Sequence, residues 1–137
     1  MAELKLVIGD PKTKHSYKAE AKDNATEVLM DRCIGQTVSG EELGFEGYEF
    51  LITGLSDNAG FPGRKGIKLA RQKVLDTKST GFSGKDRKGI YRKGEHKRFT
   101  VCGEKINTKT VQVNLKVIKE GKIPFVVPEK KEEKAAA

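Results

Sequence analysis

Arg64, Lys65, Lys68, Arg71, Lys73, Lys78, Lys85, Arg87, Lys88, Arg92, Lys93, Lys97 and Arg98 crowd into residues 62–100, against only Asp76, Asp86 and Glu95. That stretch is +10, while the other 98 residues hold fourteen basic side chains against sixteen acids, a net −2. Like charge at this density repels itself in a compact fold. A polyanion relieves the repulsion and gives up its own condensed counterions in doing so. RNA, DNA and an anionic membrane surface are the partners that fit. The bland alternative is a solvated lysine-rich face, although ordinary solubilising charge is mixed in sign and dispersed. A membrane-lying helix fits less well than nucleic acid, because Gly63, Gly66, Gly81, Gly84, Gly89 and Gly94 interrupt the segment.

Other chemistries find less support. The run STGFSGKD, residues 79–86, comes nearest to a phosphate-cradling loop, yet Ser79 stands where the first glycine belongs and Asp86 where a metal-binding hydroxyl belongs. Gly60, Gly63 and Gly66 follow a strand without opening a helix, so a turn needing positive φ is the simpler reading. His15 and His96 lack thiol or carboxylate partners at ligand spacing, which argues against a metal site; His96, inside the basic run, is a candidate phosphate contact. Cys33 and Cys102 belong to no CxxC or Cys/His cluster and read as free thiols of a reducing compartment. The sequon at Asn24 to Thr26 reads as a helix cap. No serine or cysteine has a base at readable spacing, so neither an enzyme, a cofactor nor a small-molecule substrate is expected.

These residues need a mount. At 137 residues, with 36% apolar side chains and 15 glycines, the chain is one domain in size, and it can bury roughly two-thirds of its unfolded surface without disulfides. Leu4, Leu6 and Ile8 alternate with Lys5 and Val7 before the turn GDPKTK, which predicts a strand, and a second follows around Tyr17 to Ala19. NATEVLMDRCIG predicts a helix capped at Asn24 and stopped at Gly35, and Ser39 with Glu42 has the spacing of a capping box. Strands are predicted for YEFLITG (residues 48–54), for Ile67 to Arg71 and for Phe99 to Val101. The clearest alternation is Val111, Val113, Leu115 and Val117, and IPFVVP reads as a last edge strand.

The expected fold is mainly β, a β-rich α+β domain over residues 1–127, with a curled or barrel-like sheet and one or two short helices. Residues 77–98 read as a long exposed basic loop, and residues 128–137 as a charged flexible tail. The opening MAELKLVIGD is too short in apolar residues for a signal peptide, and no stretch has the length of a membrane span, so a soluble intracellular protein is expected.

ITGLSDNAGFPGRKGI, residues 52–67, resembles the signature of the archaeal and eukaryotic type of small-subunit ribosomal protein six, approximately I-[ST]-G-G-x-D-x-x-G-F-P-M-[KR]-x-x-[VI]. Ile52, Thr53, Gly54, Asp57, Gly60, Phe61, Pro62 and Arg64 stand at matching positions. RKGEHKRFTVCG (residues 92–103) is similar to the family's R-K-G-E-R-[KR]-[RK]-[KR]-[ST]-V-R-G, and VQVNLKVIKEG (residues 111–121) to its apolar closing strand. Among the departures, Leu55 replaces the second glycine, Gly63 the methionine, and Cys102 an arginine. The long basic, serine-bearing C-terminal helix of eukaryotic members is not matched in this sequence, and with no Ser or Thr after Thr110 its phosphorylation is not expected.

The resemblance implies a structural ribosomal protein of the cytoplasm, binding small-subunit rRNA beside neighbouring ribosomal proteins. The residues alone reach a basic-loop RNA binder; a stand-alone RNA-binding module or translation factor is the alternative. Arg64, Arg87, Arg92 and Arg98 are the first candidates for clamping phosphates, because a guanidinium can do so in bidentate fashion, with Lys65, Lys85, Lys88, Lys93 and Lys97 as point charges. Phe82 and Tyr91 either stack on an unpaired base or anchor the loop to the core. Gly54, Asp57, Gly60, Phe61 and Pro62 are read as a structural turn in which Asp57 bonds forward to backbone amides, Gly60 is left-handed and Pro62 stiffens the exit.

Overall fold

The computed structural model describes residues 4–21 and 23–121. Alternating apolar residues along β1 (Leu4–Asp10) turn Leu4, Leu6 and Ile8 inward, and Asp10 then bends the chain by accepting the Lys12 amide and the Thr13 hydroxyl. The chain returns antiparallel as β2 (His15–Ala21). A seven-residue helix α1 (Asp23–Leu29) buries Ala25 and Leu29, one turn apart. Next come β3 (Thr37–Ser39), a single 3₁₀ turn (Glu41–Leu43), β4 (Glu49–Asp57), β5 (Arg71–Asp76), β6 (Lys97–Cys102) and β7 (Thr110–Lys119).

Five strands form one sheet in the order β2-β1-β7-β4-β3, with β1 parallel to β7 and the other neighbours antiparallel. β5 and β6 form a separate two-stranded sheet. Among the described residues the larger sheet is open, with β2 and β3 as its edges, so it does not close into the barrel-like form expected. Phe50, Ile52, Leu55, Val113, Leu115 and Val117 join the β1 residues in the core. In β4 the inward phase would run from Ile52 to Gly54. The extra residue at Thr53, between the pairs Ile52↔Leu115 and Gly54↔Asn114, shifts it so that Leu55 and Asp57 point inward instead.

Several boundaries differ from the sequence reading. Asn24 lies inside the first turn of α1 rather than capping it. The helix stops at Leu29, not Gly35, because Asp31, Arg32 and Ile34 trade backbone hydrogen bonds with Glu104 and Ile106. Ser39 ends β3, and the 3₁₀ turn opens on Gly40 without a side-chain cap, so the capping box is not formed. Ile67 and Leu69 precede β5 rather than belong to it, and Leu69 is 62% exposed. IPFVVP and the tail at 128–137 fall outside the described residues. Among the described residues no helix is long and apolar enough to cross a membrane.

Candidate nucleic-acid interface

The basic segment is mounted at the end of β4. Asp57 is 3% exposed, and its Oδ1 accepts the Ala59 and Phe61 amides at 3.0 Å each. Its own N–H donates to the Phe61 carbonyl and its carbonyl accepts from Gly60, which takes φ +83° as only glycine does without strain. Oδ2 then accepts Arg71 Nε at 2.6 Å, while Arg71 Nη2 reaches Asn58 Oδ1 at 2.7 Å and the guanidinium lies 5.3 Å above the Phe61 ring. Burial pushes the Asp57 carboxyl up, but the donors from Arg71, Phe61 and Ala59 outweigh it and hold the group below its ordinary value. A turn on β4 and the first residue of β5 are thereby locked together. Gly54 stands apart from this turn, inside β4 opposite Asn114.

Residues 62–64 stitch the two sheets. The Gly63 amide donates to the Leu55 carbonyl on β4, while Cys102 on β6 donates to the Pro62 carbonyl and accepts from the Arg64 amide. Cys102 is 1% exposed, so it offers nothing to a partner. Burial pushes its thiol up and the nearby Asp57 charge adds to that. At the far end of β5, Arg64 Nη2 donates to Asp76 Oδ2 at 2.5 Å. That bond, with the Thr77 amide after it, holds the Asp76 carboxyl below its usual range. Glu104 accepts the Gly66 amide at 2.8 Å.

Beyond β5 the chain is not a structureless loop. Ser79 and Phe82 exchange backbone bonds, and Phe82 is buried at 8% exposure with its ring 6.0 Å from Phe99 on β6. From this root rises a small hairpin over 84–92, with Lys85 opposite Tyr91. At its tip the Asp57 turn is repeated bond for bond. Asp86 N–H donates to the Ile90 carbonyl at 2.9 Å, Gly89 N–H donates to the Asp86 carbonyl at 3.0 Å, and Asp86 Oδ1 accepts the Lys88 and Ile90 amides at 2.9 and 3.0 Å. Gly89 takes φ +80°, and Asp86 Oδ2 pairs with Arg92 Nε at 3.3 Å.

The selected residues therefore divide. Lys65, Lys85, Arg87, Lys88, Lys93, Lys97 and Arg98 are exposed and form no ion pair with a described acid. Arg92 is exposed but tied to Asp86, and Arg64 is half-buried on Asp76. Tyr91 is 55% exposed with Lys78 Nζ 5.4 Å above its ring, whereas the burial of Phe82 gives it the anchoring role. His96 Nδ1 lies 2.7 Å from the Gly94 carbonyl. The sequence reading passed over Lys68, Lys73 and Lys78 as individual contacts, although all three are exposed on the same arm. It also missed the role of Asp86, whose signal was the recurrence of Asp-x-x-Gly-apolar at 57–61 and 86–90. Among the described residues no three of His, Cys, Asp and Glu come together as a metal site.

A mainly β core bearing this turn, stitch and basic hairpin carries all three motifs in order, and the model of the family described as ribosomal protein S6e matches residues 4–127. The chain belongs to that family. Relatives named small ribosomal subunit protein eS6 are similar to it across most of their length. One from Methanocaldococcus jannaschii is 40% identical over 122 residues, covering 88% of this chain and 86% of the relative. One from Methanoregula boonei is 38% identical over 122 residues, covering 88% and 81%. One from Methanoculleus marisnigri is 34% identical over 126 residues, covering 91% of each. The resemblance drawn from three short motifs thus extends over residues 4–127. Membership makes the chain a structural ribosomal protein rather than an enzyme.

Proposed function

We propose that the chain is a constituent of the small ribosomal subunit, in the cytoplasm, and that it braces folded rRNA through the arm at residues 62–100, beside neighbouring ribosomal proteins. One observation carries this reading. Of the thirteen cations in the arm, all but Arg64 are exposed, and described acids engage only Arg64, Arg71 and Arg92. Ten positive charges are left facing outward on a short hydrogen-bonded scaffold. In this reading Lys65, Lys85, Arg87, Lys88, Lys93, Lys97 and Arg98 meet phosphates, Arg92 contributes from beside Asp86, and Arg64 and Phe82 hold the arm in place. Tyr91 offers a ring face for an unpaired base.

About six phosphate contacts should give a slope of log affinity against log salt of roughly −4 to −6. A filter-binding titration with small-subunit rRNA fragments reads this directly, and a flat response would refute the scheme. Sedimentation separates a built-in component from a visiting factor. The tagged chain should travel with the small subunit through a high-salt gradient, whereas a stand-alone RNA-binding module would wash off.

A further inference from the structure

We infer that the hairpin tip at Asp86–Ile90 is a preformed phosphate-binding finger: its Asp86-centred turn fixes Arg87 and Lys88 before RNA arrives, so that they clamp adjacent phosphates of folded RNA. The inference rests on the reading of the arm as an rRNA contact and names the device within it. Two turns of the same chain are built alike. Asp57 to Phe61 and Asp86 to Ile90 share the same four hydrogen bonds around one aspartate, the same left-handed glycine in fourth place, and an arginine Nε on the second carboxylate oxygen.

In the first turn the aspartate is buried, the two middle residues are Asn58 and Ala59, and the result is an internal joint. In the second the middle residues are Arg87 and Lys88, both exposed, beside exposed Ile90. The hairpin's base is closed as well: a Cβ on Gly84 would lie 2.9 Å from the Tyr91 ring, which packs directly on that glycine. A side chain that satisfies two amides at a solvent-exposed tip does little for a distant core. What it does accomplish is to fix the backbone from which two cations project. Ordering those residues in advance removes an entropic penalty that a flexible basic loop would meet on binding.

Charge and preorganisation predict opposite signs for one substitution. Asp86→Ala removes an acid from the arm, so charge alone would tighten RNA binding; loss of the turn would weaken it. Asp86→Asn removes the same charge and keeps an oxygen to accept the Lys88 and Ile90 amides. Full-length wild type and both variants are titrated with a transcribed small-subunit rRNA at fixed salt, with thermal melting as a folding control. We expect Asp86→Ala to bind about tenfold more weakly than Asp86→Asn and more weakly than wild type, with all three melting within a few degrees of one another. In the free wild-type protein the Lys88 and Ile90 amides should exchange with solvent far more slowly than in Asp86→Ala. Arg87→Ala with Lys88→Ala should make the salt slope shallower by nearly 2, one step per phosphate.

Equal affinities of Asp86→Ala and Asp86→Asn, or tighter binding by Asp86→Ala than by wild type, would overturn the finger and leave the rRNA reading standing. A wild-type affinity indifferent to salt would overturn both.

Discussion

Two positions at which this chain departs from the run it resembles, Leu55 at a glycine and Gly63 at a methionine, are expected to be a single exchange of volume. Gly63 does not take a positive φ, so its backbone does not require glycine. Space does: a Cβ built at Gly63 would stand 2.6 Å from Leu55 Cγ, 2.7 Å from Leu55 Cδ1 and 3.1 Å from Ile34 Cδ1. Leu55 is 3% exposed and has nowhere to retreat. Gly63→Met alone should therefore overpack the junction between the sheets, at about 1–3 kcal/mol. Leu55→Gly alone removes a buried isobutyl group and should cost about 3–5 kcal/mol. If each side chain fills the other's space, the double variant should come back to within about 2 kcal/mol of wild type, whereas independent sites would add to roughly 4–8 kcal/mol. At roughly 3–5 °C per kcal/mol for a domain of this size, calorimetric melting of the four proteins resolves the difference easily. A double variant as unstable as the sum of the singles would refute the exchange.

Two more outcomes follow from the joint beneath the arm. Asp57 has a folded pKa below its unfolded value, so its contribution is fully present above about pH 4 and is lost as pH falls through the folded pKa. Asp57→Asn should lower the melting temperature at neutral pH, by about 1–3 kcal/mol of lost charged hydrogen bonding, and the gap to wild type should close below about pH 4. A gap independent of pH would contradict this. Cys102 is 1% exposed with a thiol pushed up by burial, while Cys33 is only half-buried. A thiol reagent at mild alkaline pH should modify Cys33 first in the native protein and both residues after denaturation; equal native rates would show that the stitch at residues 62–64 opens readily.

How much was legible beforehand depended on whether a residue's environment is set by its neighbours in sequence or by distant strands. β1 and β7 could be read because period-two burial is a local pattern: Leu4, Leu6 and Ile8, or Val113, Leu115 and Val117, state their own face. The end of α1 could not, because what stops it is the pairing of residues 31–34 with residues 104–106, some seventy positions away. Nor could β5, whose limits are set by Arg71↔Cys102 and Asp76↔Lys97 rather than by the apolar Ile67 and Leu69. The location of the positive charge was visible in composition alone. Which cations remain outward was not, since that depends on where three acids end up.

That last point divides the arginines, of which Arg64 and Arg92 are paired with acids while Arg87 and Arg98 are not. A guanidinium's planar fork favours both phosphate clamping and internal bracing, and the sequence reading put arginines first as RNA contacts. In the arm every ion pair among the described residues uses an arginine: Arg64 with Asp76, Arg71 with Asp57 and Arg92 with Asp86. None of its eight lysines has an acid partner there. The physical reason lies in geometry. Nε and Nη donors can meet a carboxylate whose other oxygen is already engaged by backbone amides, as at Asp57 and Asp86, whereas an ammonium is strongly hydrated and loses more on leaving water. Acids placed at the joints therefore take Arg64, Arg71 and Arg92 out of the outward field and leave the eight lysines, with Arg87 and Arg98, in it. The arm holds its shape through the first set and keeps its charge through the second, so a +10 segment can be rigid without being neutralised.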